Sequence, residues 1–480
     1  MKKFIYLFIF AIILSSCGED TIELIPYNSV NEQTVLATPK DFTNMILGSY
    51  SYMVRNGGLS GYGQELLIDS EVCTDNVILN IQGRQSNKDS YLFNNSPNSS
   101  SFSFYNSAYR SVTLANTLLN NVSKLQVGTF RNNIQGEALF IRALNHLELL
   151  RNFSKIPTQS TDANSSLGVA YHTLPSPLVK IARGTVQEGY QQVVSDLVTA
   201  ASLIDNNAVQ SGRANKAAVH GLLSRVYLYM GDYPKCIASA NDAIALAGTP
   251  CSRNDFYGSA NVGLWEDSSN SGVLFKLRVD IVDAISPGVA YSQASGSQIR
   301  SEYVVTKELF DKYLSTDIRK SAYFKVATFG ANTYNNISKY DGRGTGQRNV
   351  VDIKILRIEE VYLNKAEAEY RLSGAGLSSL NVVKAVRYSG FVSGAETGAS
   401  LLTSILNERR LELAFEMDRF YTLKRLGLTM TRSTTDGHFS NGLGTPPVFT
   451  NLPAGDYRWQ FPIPQDEIDI NNLLKQNPGY

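Results

Sequence analysis

Apolar positions along this chain fall into three textures, and each predicts a different kind of element. The first is a short run: after Lys2 and Lys3, residues 4–13 are almost purely apolar, and Leu14-Ser15-Ser16-Cys17 closes the stretch. A bilayer span needs about 20 apolar residues, so this run with its basic start reads as a signal peptide over 1–16. Its ending is a lipobox, in which small residues precede a cysteine that receives a diacylglyceryl group before the peptide is cut ahead of it. Two or more acyl chains suffice for stable anchoring, so the pattern predicts a mature chain tethered through Cys17. The plainer alternative is a secretory signal with an incidental cysteine. The basic start, short core, small residues and cysteine together favour the lipobox. Residues 17–40 are polar and extended in character, a lipidated stalk ahead of a body over 41–480.

The second texture has a period near 3.6. In 135–153, Phe140, Ala143, Leu144, Leu147 and Leu150 recur at spacings of three and four, which predicts a helix with one buried side, stopped by Pro157. In 185–204, Tyr190, Val193, Val194, Leu197 and Ala201 mark another. Over 215–246 two helices are predicted, with Ala218, Leu222, Val226 and Tyr229 inward on the first. Gly231-Asp232-Tyr233 makes the turn, and Ile237, Ala240, Ala243 and Ile244 face inward from the second. This is a tetratricopeptide-type pair, and one copy cannot bury its own face. The blocks 104–125, 354–371 and 380–387 are its expected stacking partners. The third texture, over 56–101 and 248–346, is rich in Gly, Ser, Asn and Tyr with only short apolar runs. Long irregular segments of this kind carry function or are disordered, and the interleaved rings favour function. The body thus divides into a helical part (41–247), a loop-rich part (248–350) and C-terminal helices (351–480).

Composition narrows the function. Net charge is +1 with no basic patch, which argues against nucleic acid as a partner. Charged residues make up 18%, Tyr is plentiful at 26 copies and Trp scarce at 2, so hydroxyls and rings rather than charges dominate the polar chemistry. With Cys17 lipidated, Cys73, Cys236 and Cys251 are an odd set that cannot complete a disulfide framework. Cys236 lies on a helical pattern as a small buried residue, with a Cys236–Cys251 bridge left open. His146, His172, His220 and His438 lack metal-ligand spacing. No nucleophile elbow appears, and the glycine-rich string 342–346 lacks the Lys-Ser/Thr of a P-loop.

The most distinctive strings lie in the C-terminal third. Glu408, Glu412 and Glu416 fall four apart, so three carboxylates share a helix face and need counter-charges, for which Arg409, Arg410 and Arg419 are nearest in sequence. A structural lattice outweighs the sharper alternative, a glycosidase-like acid pair, because nothing on this helix supplies a cleft. Asn407-Glu408-Arg409-Arg410-Leu411-Glu412-Leu413-Ala414-Phe415-Glu416 resembles the SusD/RagB family. So do the closing Phe461-Pro462-Ile463-Pro464 with Gln476-Asn477-Pro478-Gly479-Tyr480, the string 356–368, and the stretch that opens at Glu137. That family consists of outer-membrane lipoproteins for nutrient uptake, and the resemblance spans nearly the whole mature chain. It implies a mainly α fold in which tetratricopeptide-like pairs form a curved core, and long loops with few short strands build a ligand face. It also implies a partner, a SusC-type TonB-dependent outer-membrane transporter, with the lipoprotein seated over it as a lid at the cell exterior. Glu19-Asp20 after Cys17 resembles the surface-export signal of such lipoproteins.

The resulting expectation is non-catalytic capture of an oligomeric nutrient, a glycan before a peptide, with no cofactor and no metal. A helical-repeat scaffold for proteins and a surface glycoside hydrolase are the readings from other classes. Sugars place C–H faces on rings and hydroxyl edges on amides and guanidiniums. The candidates from the two irregular regions are therefore Asn76, Tyr91 and Phe93, and Trp265, Tyr291, Tyr334 and Arg343. Each has a bland counterpart, a packing aromatic or a surface polar group.

Overall fold

The computed structural model describes residues 36–56, 59–99, 104–206, 212–259, 262–283, 285, 287–343 and 349–480. Cys17, the signal peptide and most of the stalk lie outside them. The chain divides into two compact units, Met1–Asn44 and Met45–Tyr480. In the first, the Asp41 carboxylate accepts hydrogen bonds from the backbone N–H of Thr38 (2.7 Å) and Ala37 (3.2 Å) at the start of helix α1 (Pro39–Val54).

In the second unit the helical blocks form an array in sequence order. The helices are α2 (Phe104–Asn121), α3 (Thr129–Phe153), α4 (Val186–Leu203), α5 (Lys216–Met230) and α6 (Tyr233–Ala247). Each packs on the next. Local chemistry fixes the ends. The Thr185 hydroxyl accepts from Glu188 N while Glu188 Oε2 accepts from Thr185 N, a reciprocal cap for α4. Asn215 caps α5, Gly231 ends it at φ +74°, and Asp232 at once caps α6, so two residues reverse the chain. The periodicity locates these helices but misplaces some inward positions. Ala200 rather than Ala201 is buried in α4, and Cys236, Ala240 and Ala243 form the inner line of α6 while Ile237 and Ile244 are only half-buried. From Ile134 to Phe153, α3 is enclosed on almost every side rather than along one face. Its Glu137, Glu148 and Arg151 are tolerated because each finds an opposite charge: Glu137 with Arg213, Glu148 with Arg151.

After α6 the array is interrupted and then resumes. Strands β2 (Val273–Leu277) and β6 (Ile353–Arg357) pair antiparallel with all ten residues buried, and β6 runs straight into α7 (Ile358–Ser373). Helix α7 packs on α6 and α5 as the next member of the array, and α8 (Leu377–Arg387) and α9 (Gly398–Glu412) pack on α7. Leu363, Ala366, Leu380, Val383, Leu401 and Ile405 form their shared core. The loop-rich segment is therefore an insertion closed at its stem by β2 and β6. It carries the hairpin β4 (Phe324–Phe329) and β5 (Asn332–Ile337) and the short strand β3 (Tyr303–Val305). The latter pairs antiparallel with β1 (Val77–Leu79), which joins the two irregular regions of the sequence into one. The short helix α10 (Arg419–Arg425) follows α9. The fold is mainly α with few short strands, and no described helix is long and apolar enough to cross a membrane.

The turn between α7 and α8 makes a differential prediction. Gly374 and Gly376 both adopt left-handed φ (+76° and +117°), but a Cβ on Gly374 would meet nothing within 4 Å, whereas one on Gly376 would collide with the Ala366 carbonyl oxygen. Gly374→Ala carries only the conformational penalty of about 1–2 kcal/mol, and Gly376→Ala adds a backbone clash. Chemical denaturation is expected to rank the losses in that order, and equal losses would contradict the geometry.

Candidate functional site

The acidic residues of the distinctive C-terminal strings are interior. The Glu412 carboxylate is clasped by three guanidiniums: Arg387 reaches Oε1 and Oε2 (both 2.9 Å), Arg357 Oε1 (2.8 Å) and Arg319 Oε2 (3.1 Å). Glu416 receives Arg357 (2.8 Å) and Lys339 (2.6 Å). Glu408 pairs with Arg319 (2.7 Å) and accepts from the Tyr388 hydroxyl (2.9 Å). Burial alone would raise Glu412, but the charges of Arg387, Arg357 and Arg319 outweigh it and hold the carboxyl well below the usual range. The nearest arginines in sequence are not the partners. Arg409 binds Asp418 and Asn364, Arg410 binds Asn76 and Glu308, and Arg419 binds Asp75. The counter-charges come instead from the insertion, β6 and α8.

The same insertion caps the end of α9. Tyr313 donates to the carbonyl of Leu411 (2.9 Å), Tyr323 to that of Glu412 (2.8 Å), Lys339 to that of Ala414 (2.7 Å) and Tyr340 to that of Phe415 (2.9 Å). The Leu411 and Glu412 carbonyls are among those that a helix end leaves without intrahelical partners, and those of Ala414 and Phe415 belong to the turn that follows. They hold a turn in which Phe415 and Met417 sit at φ +66° and +60°, conformations that non-glycine residues rarely adopt.

Six of the seven residues expected to meet a ligand are enclosed. Trp265 packs edge-on against Phe256, Tyr323 and Tyr340, with Lys339 Nζ 4.1 Å from its ring centre. Tyr291 donates to the Leu67 carbonyl (3.3 Å), and Tyr334 lies beside His438 in a small cluster with Ile78 and Val304. Tyr91 is covered by the Arg432 guanidinium at 3.9 Å, and Phe93 packs on Phe449. Asn76 donates to Glu71 (2.7 Å) and accepts from Arg410 (2.8 Å). All six are buried in this conformation and present no surface to a ligand. In segments built from Gly, Ser and Asn, the rings are the main apolar mass available and so turn inward to make a core. Cys236 and Cys251 are both free and buried, so no bridge joins them.

Arg343 reaches solvent. About 31% of its side chain is exposed, its guanidinium pairs with Asp267 and Asp352 (both 2.8 Å), and it lines a cavity of about 470 Å³ with Tyr50, Val54, Arg278, Asp280 and Asp283. A second concavity of about 340 Å³, which sequence reasoning did not anticipate, lies between α2, residues 170–180 and the closing segment. Tyr105, Tyr109 and Thr113 face it from successive turns of α2. Tyr109 donates to the Ala170 carbonyl (2.9 Å) and meets the His172 ring edge-to-face at 5.2 Å. The four-residue spacing of these α2 positions was visible in the sequence, but their partners lie far along the chain.

These features define a mainly helical body whose distinctive acids are locked in interior pairs, with the Arg343 cavity and the α2 groove among the concavities of the described residues. Two family models match the chain, one described as starch-binding and associating with the outer membrane over residues 28–228, the other as the SusD family over 269–480. The chain belongs to the SusD/RagB family. It is similar along the full length of both chains to a SusD-like protein of Formosa agariphila, at 24% identity. A solved SusD superfamily structure from Bacteroides thetaiotaomicron superposes with TM-score 0.79 at 28% identity, covering 92% of this chain and 100% of that one. Another from Bacteroides vulgatus does so with TM-score 0.78 at 26%, covering 92% and 99%.

Burial also sets a pH dependence. It raises the Asp69 carboxyl to about 8, with Glu65 adding to it, against hydrogen bonds from Ser90 and Asn87. An unfolded aspartate ionises near about 4, so Asp69 lowers stability progressively as pH rises from about 4 toward 8. Asp75 and Glu367 act in the opposite sense. Burial opposes their ionisation, but Arg410 and Arg419 around Asp75, and Arg425 around Glu367, hold both at about 2. Their contribution is present above about pH 4–5 and is lost as pH falls toward 2. Asp69→Asn is expected to raise Tm over the parent by a few degrees at pH 8 and by much less at pH 4.5. Equal shifts at the two pH values would contradict the assignment.

Proposed function

We propose that this chain is a non-catalytic surface lipoprotein that captures an oligomeric nutrient, a glycan, and passes it to a SusC-type TonB-dependent outer-membrane transporter. In this reading a lipid on Cys17 and the polar segment 17–40 tether the body 41–480 to the membrane. The observation that carries the reading is the pair of family matches, over residues 28–228 and 269–480, the first described as starch-binding. The interior supports binding over turnover. An acid pair that cleaves glycosides must flank a ligand in an open cleft, whereas Glu408, Glu412 and Glu416 are buried on arginines, a lysine and a tyrosine. The Arg343 cavity offers guanidiniums and carboxylates that match hydroxyl edges, and Arg343 is the sequence candidate that meets solvent there.

Calorimetry of the purified mature chain against a panel of oligosaccharides tests this. Saturable binding is expected with ligand recovered intact, and Arg278→Ala, at an exposed position on that cavity, is expected to weaken it about tenfold, the scale of one charge-assisted hydrogen bond. Cleaved product, or no binding across the panel, would overturn the reading.

A further inference from the structure

The Arg343 cavity lies at the stem of the insertion, and the charges of the stem decide how its guanidinium is presented. Lys276 on β2 and Lys354 on β6 stand directly opposite each other in the strand pairing, both buried, and like charges so placed repel. Asp352 answers Lys276 (2.7 Å) and Asp267 answers Lys354. Each carboxylate then takes Arg343 as well: Asp267 Oδ2 accepts from Nε and Asp352 Oδ1 from Nη2, both at 2.8 Å.

Backbone donors fix the two acids further. Asp267 Oδ2 accepts from Asp352 N (2.9 Å) and Asp352 Oδ1 from Val279 N (3.0 Å), and the side chains are only 6% and 4% exposed. Asp267 adopts φ +59°, a conformation rare outside glycine that aspartate and asparagine enter more readily than most. Such a conformation persists where the surroundings over-determine the residue. Burial opposes ionisation of Asp267, but Lys354, the Asp352 N–H and Arg343 outweigh it and hold the carboxyl below its ordinary range.

A guanidinium recognises a carboxylate or sulfate best through a two-nitrogen fork. On Arg343 the side-on fork, Nε with Nη2, is filled by the protein's own acids, and Nη1 has no partner among the described residues. A single nitrogen held in place suits a hydroxyl or ring oxygen. Asp280 and Asp283 bring two carboxylates to the same lining against the cation of Arg278, and Glu266 stands close to Asp267 and Lys354. Glu137, which accepts from the Tyr50 hydroxyl at the lining, is paired with Arg213. An anionic ligand therefore finds the fork taken and unpaired acids at the rim, an arrangement that excludes by repulsion as well as by lost contacts.

We propose that Asp267 and Asp352 are positioning residues for the nutrient site. They fix Arg343 with Nη1 left for the ligand and occupy its fork, which selects uncharged, hydroxyl-rich oligosaccharides over those bearing uronate or sulfate. This rests on the reading of the Arg343 cavity as the nutrient site.

Calorimetry of the mature chain tests the selectivity, with neutral gluco-, xylo- and manno-oligosaccharides beside oligogalacturonates and sulfated galactan oligosaccharides. The tightest neutral ligand is expected to bind at least about tenfold more tightly than any anionic one. An anionic ligand of equal or higher affinity would overturn the proposal. A double-mutant cycle with that neutral ligand tests the positioning. Asp267→Asn, which keeps the side-chain shape and tolerates the left-handed φ, is expected to weaken binding about fivefold in the parent and by less than about twofold in an Arg343→Ala background. Equal losses in the two backgrounds would give Asp267 a structural role independent of Arg343 and overturn it. A ligand-free measurement completes the test: the Arg343 Nε–H signal in heteronuclear NMR, assigned by its loss in Arg343→Ala, is expected to exchange with water about tenfold faster in Asp267→Asn. Unchanged exchange would also overturn the positioning. Binding by no member of the panel, with the Nε–H signal behaving as expected, overturns the nutrient reading and the selectivity while supporting the positioning of Arg343.

Discussion

The Glu412 carboxylate and the three guanidiniums around it are the interaction on which the rest of the body depends. Arg319 comes from the insertion, Arg357 from the strand that closes the insertion's stem, and Arg387 from α8, so one carboxylate fixes three elements to α9. Removing such groups from water costs several kcal/mol per ion, recovered only when the partners' remaining donors and acceptors are also engaged. That requirement explains why the cluster spreads outward. Arg357 also holds Glu416, Arg387 also holds Glu359, Arg319 also holds Asp317, and Lys339 joins Glu416 within the rings of Trp265 and Tyr323.

This requirement reassigns much of the chemistry that a reader of the sequence would give to a ligand. The tyrosines of the insertion cap the end of α9, and Trp265, just ahead of β2, forms one wall of the Lys339 site. Arg432 spends its donors on the carbonyls of Val72, Thr74, Tyr91 and Phe449, pinning the first irregular region in place. The loop-rich segments are thus seated on a charged interior, and ligand chemistry is left to the few polar and apolar groups that stay at the surface. A binding protein gains from this arrangement, because a fixed frame lowers the entropy lost when a ligand or partner is ordered against it.

The helices were legible in the sequence because periodicity and capping are local. Asn215, Gly231 and Asp232 mark the α5–α6 pair within a few residues of their effect. Legibility failed where the deciding partner is distant. The near-complete burial of α3 from Ile134 onward is tolerated through pairings such as Glu137 with Arg213, and the Glu412 partners lie 25 to 93 residues away. The candidate site suffered most. Tyr91, Trp265 and Tyr291 look like sugar platforms in a polar context, yet that same context makes them the core. Arg343 was readable as a candidate in a glycine-rich loop, whereas the α2 groove is assembled from residues 105–113, 170–180 and 467–474 and has no local signature. The closing string, by contrast, carried the family identity because its Asn477 is sewn to α3 through Arg183 and the Phe153 carbonyl.

Native-state hydrogen exchange of Glu412→Gln compared with the parent chain tests the lattice most directly. The substitution keeps the shape of the side chain and removes its charge, leaving three buried guanidiniums short of a counter-ion. The account predicts a loss of about 3–5 kcal/mol in protection, shared by α9, α8 and residues 313–340 because one group holds all three. Protection within about 1 kcal/mol of the parent in residues 313–340, or a loss confined to α9, would contradict it.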